Sequence, residues 1–146
     1  MMSFLKECKV LPVENSVAAG KATTVGEVID TAGFQCACFI YKLGTVVDAA
    51  AVTLKIYQDS DSAMGTVKEL SGASAAIAST SSDSEQRLIV DVIRPSKRYL
   101  RPTIVTADQN VEIDDAICIL YNPDTIPVTQ PTSVDVGTLV VSPAEA

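Results

Sequence analysis

The sequence predicts an all-β protein, a single β-sandwich of jelly-roll or immunoglobulin-like type with about seven or eight strands. The apolar 47% of the chain is mostly Val, Ile and Ala, with no Trp, and β-branched side chains suit a pleated sheet better than a helix. Short apolar segments with period-two alternation are separated by Gly, Pro, Asp and Ser. The 146 residues are enough for one domain. We expect an N-terminal arm over residues 1–12 and a sandwich over residues 13–146 with a trailing C-terminal segment.

The first half of the chain contains several strand signals. In "VLPVENSVAA", Pro12 restricts a first strand to a sheet edge or to the strand's beginning. "TTVGEVIDTAGF" alternates until Gly33, and "FQCACFIYKLG" is apolar on both faces, which predicts a strand covered on both sides. "AAAVTLKIYQ" alternates apolar and polar residues and is typical of a half-buried strand.

The second half begins with weaker signals. "DSDSAMGTVKEL" and "SGASAAIASTSSDSE" are polar or small-residue stretches and predict a long surface connection. "QRLIVDVI" is a strand that Pro95 ends, because proline lacks an amide proton. After "YLRPTIVTA", the segment "NVEIDDAICILYNP" places Val111, Ile113, Ile117 and Ile119 inward, and "VDVGTLVVS" is a candidate last strand.

Catalytic and cofactor-binding residue patterns are missing from the sequence. There is no histidine, so Ser/His/Asp and Cys/His pairs cannot form. No phosphate-binding or dinucleotide-binding glycine motif is present. We therefore expect a protein that is not an enzyme and has no catalytic residues and no cofactor.

Cysteine and aspartate clusters raise the question of metal binding. Cys36 and Cys38 lie on one strand face, but Cys8 and Cys118 do not form a second pair, so core thiols are favoured over zinc. The Asp59–Ser62 run has oxygen ligands at alternate positions but departs from the calcium-loop pattern at Ala63 and Met64, which favours a solvated turn. We predict no metal site.

A basic cluster, "RPSKRYLRPTIV" from Arg94 to Val105, stands out in a chain of net charge -7. It falls at a turn between two strands, where alternation buries Tyr99 or Leu100 and places an arginine on each side. Planar guanidinium groups suit carboxylates. Salt bridging within the chain or between subunits is therefore favoured over an anionic partner surface, and nucleic-acid contact is least favoured in so acidic a chain.

Three segments together resemble a known family. They are "DTAGFQCACFIYKLG", "VTLKIYQDSDSAMGTVKEL" and "KRYLRPTIV", within residues 24–121. The matching features are Asp30, Thr31, Gly33 and Phe34, the turn Asp59–Met64, and Arg98–Arg101. The order resembles head decoration (cement) proteins of tailed bacteriophages, which are small β-sandwiches. The family pattern often has Trp after the Asp/Ser turn, where this chain has Met64.

The resemblance implies a structural role on the outside of a capsid. It implies a homo-oligomer, frequently a trimer, that binds the major capsid protein and stabilises the assembled shell, with no nucleic-acid or membrane partner. The sequence has no signal peptide or long apolar span, so we expect synthesis in the host cytoplasm. Alternatives are a phage neck or tail component and a host-adhesion or carbohydrate-binding sandwich. The expected interface residues are Arg94, Lys97, Arg98, Tyr99, Arg101, Lys55, Tyr57, Phe4 and Leu5.

Overall fold

A computed structural model describes residues 3–78 and 83–142 of the chain. They form one short helix and ten strands. The helix α1 covers Phe4–Glu7. The strands are β1 (Lys9–Glu14), β2 (Val17–Gly20), β3 (Thr23–Val25), β4 (Ile29–Asp30), β5 (Phe34–Val46), β6 (Ala51–Asp59), β7 (Lys68–Ala78), β8 (Arg87–Ile93), β9 (Tyr99–Ala107) and β10 (Val111–Pro123).

The strands form two antiparallel sheets that pack face to face. In the first sheet the order is β1-β10-β5-β8, and β2 pairs with the same strand as β1. In the second sheet the order is β3-β9-β6-β7, and β4 pairs with the same strand as β3. Counting β1/β2 and β3/β4 as one position each leaves four positions per sheet, which is the jelly-roll arrangement. The predicted all-β sandwich is confirmed, and the connectivity selects the jelly roll.

The core lies between the two sheets. β6 alternates as predicted, with Val52 and Leu54 buried, and in β8 Leu88, Val90 and Val92 are buried. β5 contributes the largest inner side chains, Phe39, Tyr41 and Leu43, none of which is exposed. Burying such side chains stabilises a fold by about 1.5–3 kcal/mol each, so the interleaved inner faces hold the two sheets together.

The inward-facing residues of β10 differ from the prediction. Val111 and Ile113 point inward, but the register shifts between Ile113 and Asp115. After this bulge the buried residues are Ala116, Cys118 and Leu120. One extra residue reverses the faces of a strand. The prediction that Ile117 and Ile119 face inward was therefore wrong.

The predicted surface connection after residue 67 is instead a strand. β7 pairs with β6 from Ala51↔Ala78 to Gln58↔Lys68. Its small side chains carry little alternation in hydrophobicity, and pairing with β6 fixes the conformation instead. The residues 79–82 of that predicted connection lie outside the described residues.

Residues 6–10 and 128–130 lie against each other beside β1. The side-chain oxygen of Gln130 accepts the amide of Val10 at 3.0 Å, and its nitrogen donates to the carbonyl oxygen of Cys8 at 2.5 Å. The Val128 amide donates to the carbonyl oxygen of Lys6 at 2.8 Å. Residues 9–12, expected in the N-terminal arm, belong to β1. The candidate last strand over 134–142 is not a strand in this chain.

Candidate interaction surfaces

The basic turn, residues 94–98, lies at one end of the sandwich beside the turn from Asp30 to Gln35. Arg98 binds Asp30 through two hydrogen bonds, Nε to Oδ1 at 2.8 Å and Nη2 to Oδ2 at 2.9 Å. Its carbonyl oxygen accepts both the amide and the hydroxyl of Thr31. The hydrogen bond from Arg98 lowers the pKa of Asp30 despite partial burial. Arg98 therefore joins two turns of the same chain, as expected of an architectural arginine.

Arg94 and Lys97 have no such partner. Within the part of the chain that the structure describes, neither forms an ion pair, and both side chains are exposed. A shallow cavity of about 540 Å³ separates the 94–98 turn from residues 31–35. Two uncompensated cations therefore border an open depression at this end of the molecule.

The backbone of Arg94 is also unusual. Its φ of 52° lies in the left-handed region, which costs an L-residue roughly 1–2 kcal/mol. Its amide donates to the carbonyl oxygen of Gln35 at 2.7 Å, which anchors the turn. Glycine would adopt this conformation without strain. The cation therefore occupies a position that glycine would fill with less strain.

The outer face of the second sheet carries the predicted residues of β6 and β9. Arg101 faces Tyr57 across the two strands, and Lys55 forms a salt bridge of 3.1 Å with Glu69 on β7. The Nε of Arg101 is buried without a hydrogen-bond partner among the described residues. Tyr99 is half-buried and lies 5.2 Å below the guanidinium of Arg98. The structure thus brings together Tyr57 and Arg101 on a face distinct from the basic turn.

The Asp59–Ser62 segment is held by hydrogen bonds to its own loop. Asp59 is only 3% exposed, and its carboxylate accepts the amides of Thr66 and Asp61 at 2.7 and 3.1 Å. Burial acts to raise the pKa of Asp59, but the backbone hydrogen bonds lower it on balance. The prediction of a solvated turn was wrong for Asp59, because the loop folds over its carboxylate. The carboxylate oxygens of Asp59 therefore already accept hydrogen bonds from donors in the protein.

The outer face of the first sheet is apolar, which the sequence analysis missed. Two cross-strand rows of side chains make up this face. One row consists of Pro12, Ile117, Ile40 and Ile89. The next row, two residues along each strand, consists of Val10, Ile119, Cys38 and Asp91. The outer side chains of β5 are only partly covered, whereas its sequence predicted cover on both sides. The bulge in β10 turns Ile117 and Ile119 outward, so no fixed-period pattern could have found this face.

The two N-terminal residues expected at an interface have different surroundings. Phe4 is half exposed. Leu5 packs against the chain's own C-terminal segment, where its Cδ2 lies 3.0 Å from the position that a Cβ on Gly137 would take. Phe4 is thus exposed, whereas Leu5 is half-buried.

The cysteines are unpaired thiols in this structure. Cys8, Cys36 and Cys118 are buried, and Cys38 is half-buried. Over residues 3–78 and 83–142, no cluster of three or more Cys, Asp or Glu side chains is arranged to hold a metal ion. None of the helices in the described ranges has the length and hydropathy needed to cross a membrane.

Comparisons with known proteins relate the fold to other structures. No family model matches the chain, and no curated protein matches its sequence. A chain from the structure of infectious bursal disease virus, Gt strain, superimposes with a TM-score of 0.50 at 9% identity, covering 84% of this chain and 34% of the viral chain. The crystal structure of PirA gives a TM-score of 0.38 at 12% identity, covering 84% of this chain and 97% of that one. This chain thus spans about a third of the viral chain, and the likeness to that chain establishes a shared jelly-roll fold.

Proposed function

We propose that this chain is a non-enzymatic virion structural protein that binds the outer surface of an assembled phage capsid and stabilises it. The observation that carries the proposal is the jelly-roll fold, which the chain shares with a protein from a virus particle. The resemblance of residues 24–121 to phage decoration proteins supports the same role. A fold alone does not define a function, so the surfaces must supply the rest of the argument.

The surfaces of the chain are suited to contact rather than to chemistry. The chain has no histidine for proton transfer. The carboxylate of Asp30 is engaged in joining two turns, and that of Asp59 in holding its own loop. By contrast, Arg94 and Lys97 are exposed at one end of the sandwich and form no ion pair with any of the residues that the structure describes. Free cations on a protein of net charge -7 favour an acidic patch on a protein partner over a nucleic acid, because the remaining surface repels a polyanion.

A decoration protein of this kind stabilises a capsid through thermodynamic linkage between binding and assembly. A ligand that binds the assembled shell better than free subunits shifts the equilibrium toward the shell, by about 2.7 kcal/mol per site at a hundredfold excess over Kd. A homo-oligomer that contacts several copies of the major capsid protein gains further through effective concentration. The proposal places the chain on the capsid exterior as a homo-oligomer, with the trimer favoured by the resemblance, after synthesis in the host cytoplasm.

Copy counting on purified virions of the source phage tests the proposal. Quantitative mass spectrometry should find hundreds of copies per particle, as repeated lattice sites require, whereas roughly a dozen would indicate a neck or tail ring. Absence from the particle would contradict any virion role, including the alternative of a neck or tail component.

Charge variants test the basic turn directly. Arg94→Glu combined with Lys97→Glu should weaken binding to capsids stripped of this protein by roughly tenfold or more, because two attractive contacts become repulsive. Lys21→Glu is the matched control, since Lys21 is exposed and lies near Thr106 at the opposite end of β9. Equal binding by all three proteins would remove the basic turn from the interface.

A further inference from the structure

The C-terminal segment, residues 134–142, exposes an apolar run. Val136, Val140 and Val141 are 77%, 72% and 80% exposed, and Leu139 is 49% exposed. Among the residues described, the backbone of 135–142 makes no hydrogen bond. The segment is rich in Val, a residue that favours strands. A strand-forming sequence with exposed apolar side chains and unused backbone groups indicates a missing strand partner.

The β8 edge of the first sheet also lacks a strand partner among the described residues. β8 pairs with β5 only, within the described ranges. The amide of Arg94 donates to Gln35, and the carbonyl oxygen of Gln86 accepts from Leu43, so the even-numbered residues of β8 bond to β5. Antiparallel alternation then directs the backbone groups of Ile89, Asp91 and Ile93 to the open edge.

The side chains make the β8 edge more apolar than that of β7. Ile89 and Ile93 are 57% and 66% exposed. The other comparable edge, β7, presents mainly small or charged residues such as Ser74 and Glu69. An open edge with exposed apolar side chains is a template for strand addition, and natural proteins usually cover or charge such edges.

The chain cannot cover this edge with its own C-terminal segment. Gly137 lies against Leu5, next to β1, and β1 and β8 are opposite edges separated by β10 and β5. Three strand spacings amount to about 14 Å. The two residues from Gly137 to Leu139 reach at most about 7 Å. While the contact with Leu5 holds, the partner must be a different molecule.

We infer that residues 138–142 of one copy add as a strand to the β8 edge of a second copy. The contact joins two different surfaces, so it is heterologous, and a closed set of such contacts forms a ring, as in a trimer. This inference goes beyond the proposed function and does not depend on capsid binding.

Direct pairing of two β8 edges is disfavoured by Asp91. In the antiparallel arrangement centred on the middle edge residue, the two Asp91 carboxylates face each other, and like charges directly opposite destabilise a sheet. Residues 136–142 carry no charge, so they can pair beside Asp91 without this repulsion. A carboxylate at the middle of the edge therefore selects the C-terminal segment over a second β8.

Light scattering after size exclusion, with the full chain and no capsid present, tests the inference. The unmodified protein should be a closed oligomer, whereas Ile93→Lys and Val140→Lys should each have the 15.4 kDa mass of one chain. Ile126→Lys is the matched control, because Ile126 is 62% exposed outside both surfaces, and it should remain oligomeric. Circular dichroism should show that all variants are folded.

A mixing experiment gives the inference its most specific test. Ile93→Lys retains an intact C-terminal segment and Val140→Lys retains an intact β8 edge, so an equimolar mixture should form a dimer and nothing larger. Amides of Ile89, Asp91 and Ile93 should exchange about tenfold or more slowly in the oligomer than in either variant alone. A monomeric unmodified protein, or variants that keep the full oligomer, would overturn strand addition without affecting the copy-number test of virion function.

Discussion

Arg98 and Asp30 form a two-pronged ion pair, with contacts of 2.8 and 2.9 Å, between the β8–β9 turn and the end of β4. A bidentate guanidinium–carboxylate contact fixes orientation as well as distance. The two turns it joins also border the cavity beside Arg94 and Lys97. The pair therefore holds in place the part of the molecule to which we assign capsid contact.

This ion pair should make stability depend on pH in the acidic range. Because the folded-state pKa of Asp30 is lowered, its contribution is complete above the unfolded pKa of about 3.9 and is lost as pH falls through the lower folded value. The side chains are 55% and 46% exposed, so solvent screening keeps the effect small. Asp30→Asn should lower Tm by at most about 4 °C at pH 7 and hardly at all near pH 2. An equal loss at both pH values would contradict the electrostatic origin.

Arg94→Gly should separate stability from binding. Glycine relieves the left-handed strain at φ 52°, offset by its greater unfolded-state entropy, so the free energy of unfolding should stay equal or rise by up to about 1 kcal/mol. Capsid binding should weaken, because a free cation is lost. Ala49→Gly, at φ 69°, is the control that relieves similar strain while leaving binding unchanged. Urea denaturation and capsid sedimentation measure the two effects, and reduced stability with unchanged binding would refute the assignment.

Tyr41→Phe should not destabilise the protein. The ring is fully buried, and its hydroxyl has no hydrogen-bond partner among the described residues. Burial, with the nearby charge of Glu14, raises the pKa of Tyr41, so the hydroxyl stays protonated at neutral pH. Removing an unsatisfied buried hydroxyl should change stability by between zero and about +1 kcal/mol. Phe39→Ala, in the same layer, should cost about 3–5 kcal/mol. A comparable loss for Tyr41→Phe in urea titrations would show that the hydroxyl has a partner.

The sequence was sufficient to predict the fold class because most strands follow the period of two. The alternation in "AAAVTLKIYQ" predicted a half-buried strand, and Leu54 lies on its buried face. β10 could not be read in this way, because a bulge after Ile113 reverses the two faces, and a bulge has no reliable signal in composition. β7 was missed because Ala and Ser give no contrast between faces, so its pairing with β6 determines the conformation.

For the basic turn, too, the local sequence predicts the position, but contacts with distant residues cannot be predicted from it. Its position between two strands followed from Pro95 and from the alternation on either side. The partner of Arg98 did not, because Asp30 is 68 residues away and only the pairing of β4 with β9 brings them together. Whether Arg94 forms an ion pair likewise depends on which carboxylates the fold brings to that end of the sandwich, and among the described residues none pairs with it.

Thiol labelling should distinguish the two faces of the first sheet. Cys38 is half-buried on the outer face, whereas Cys118 is fully buried in the core. Burial raises the pKa of both thiols, and the charge of Asp91 adds to the effect at Cys38, so both should react more slowly than a free cysteine. Cys38 should react in the native protein, and Cys118 only at the rate of global unfolding. Mass spectrometry of labelled peptides against time, with and without urea, measures both rates. Labelling of Cys118 before Cys38 in native buffer would contradict the inward orientation that the β10 bulge gives to Cys118.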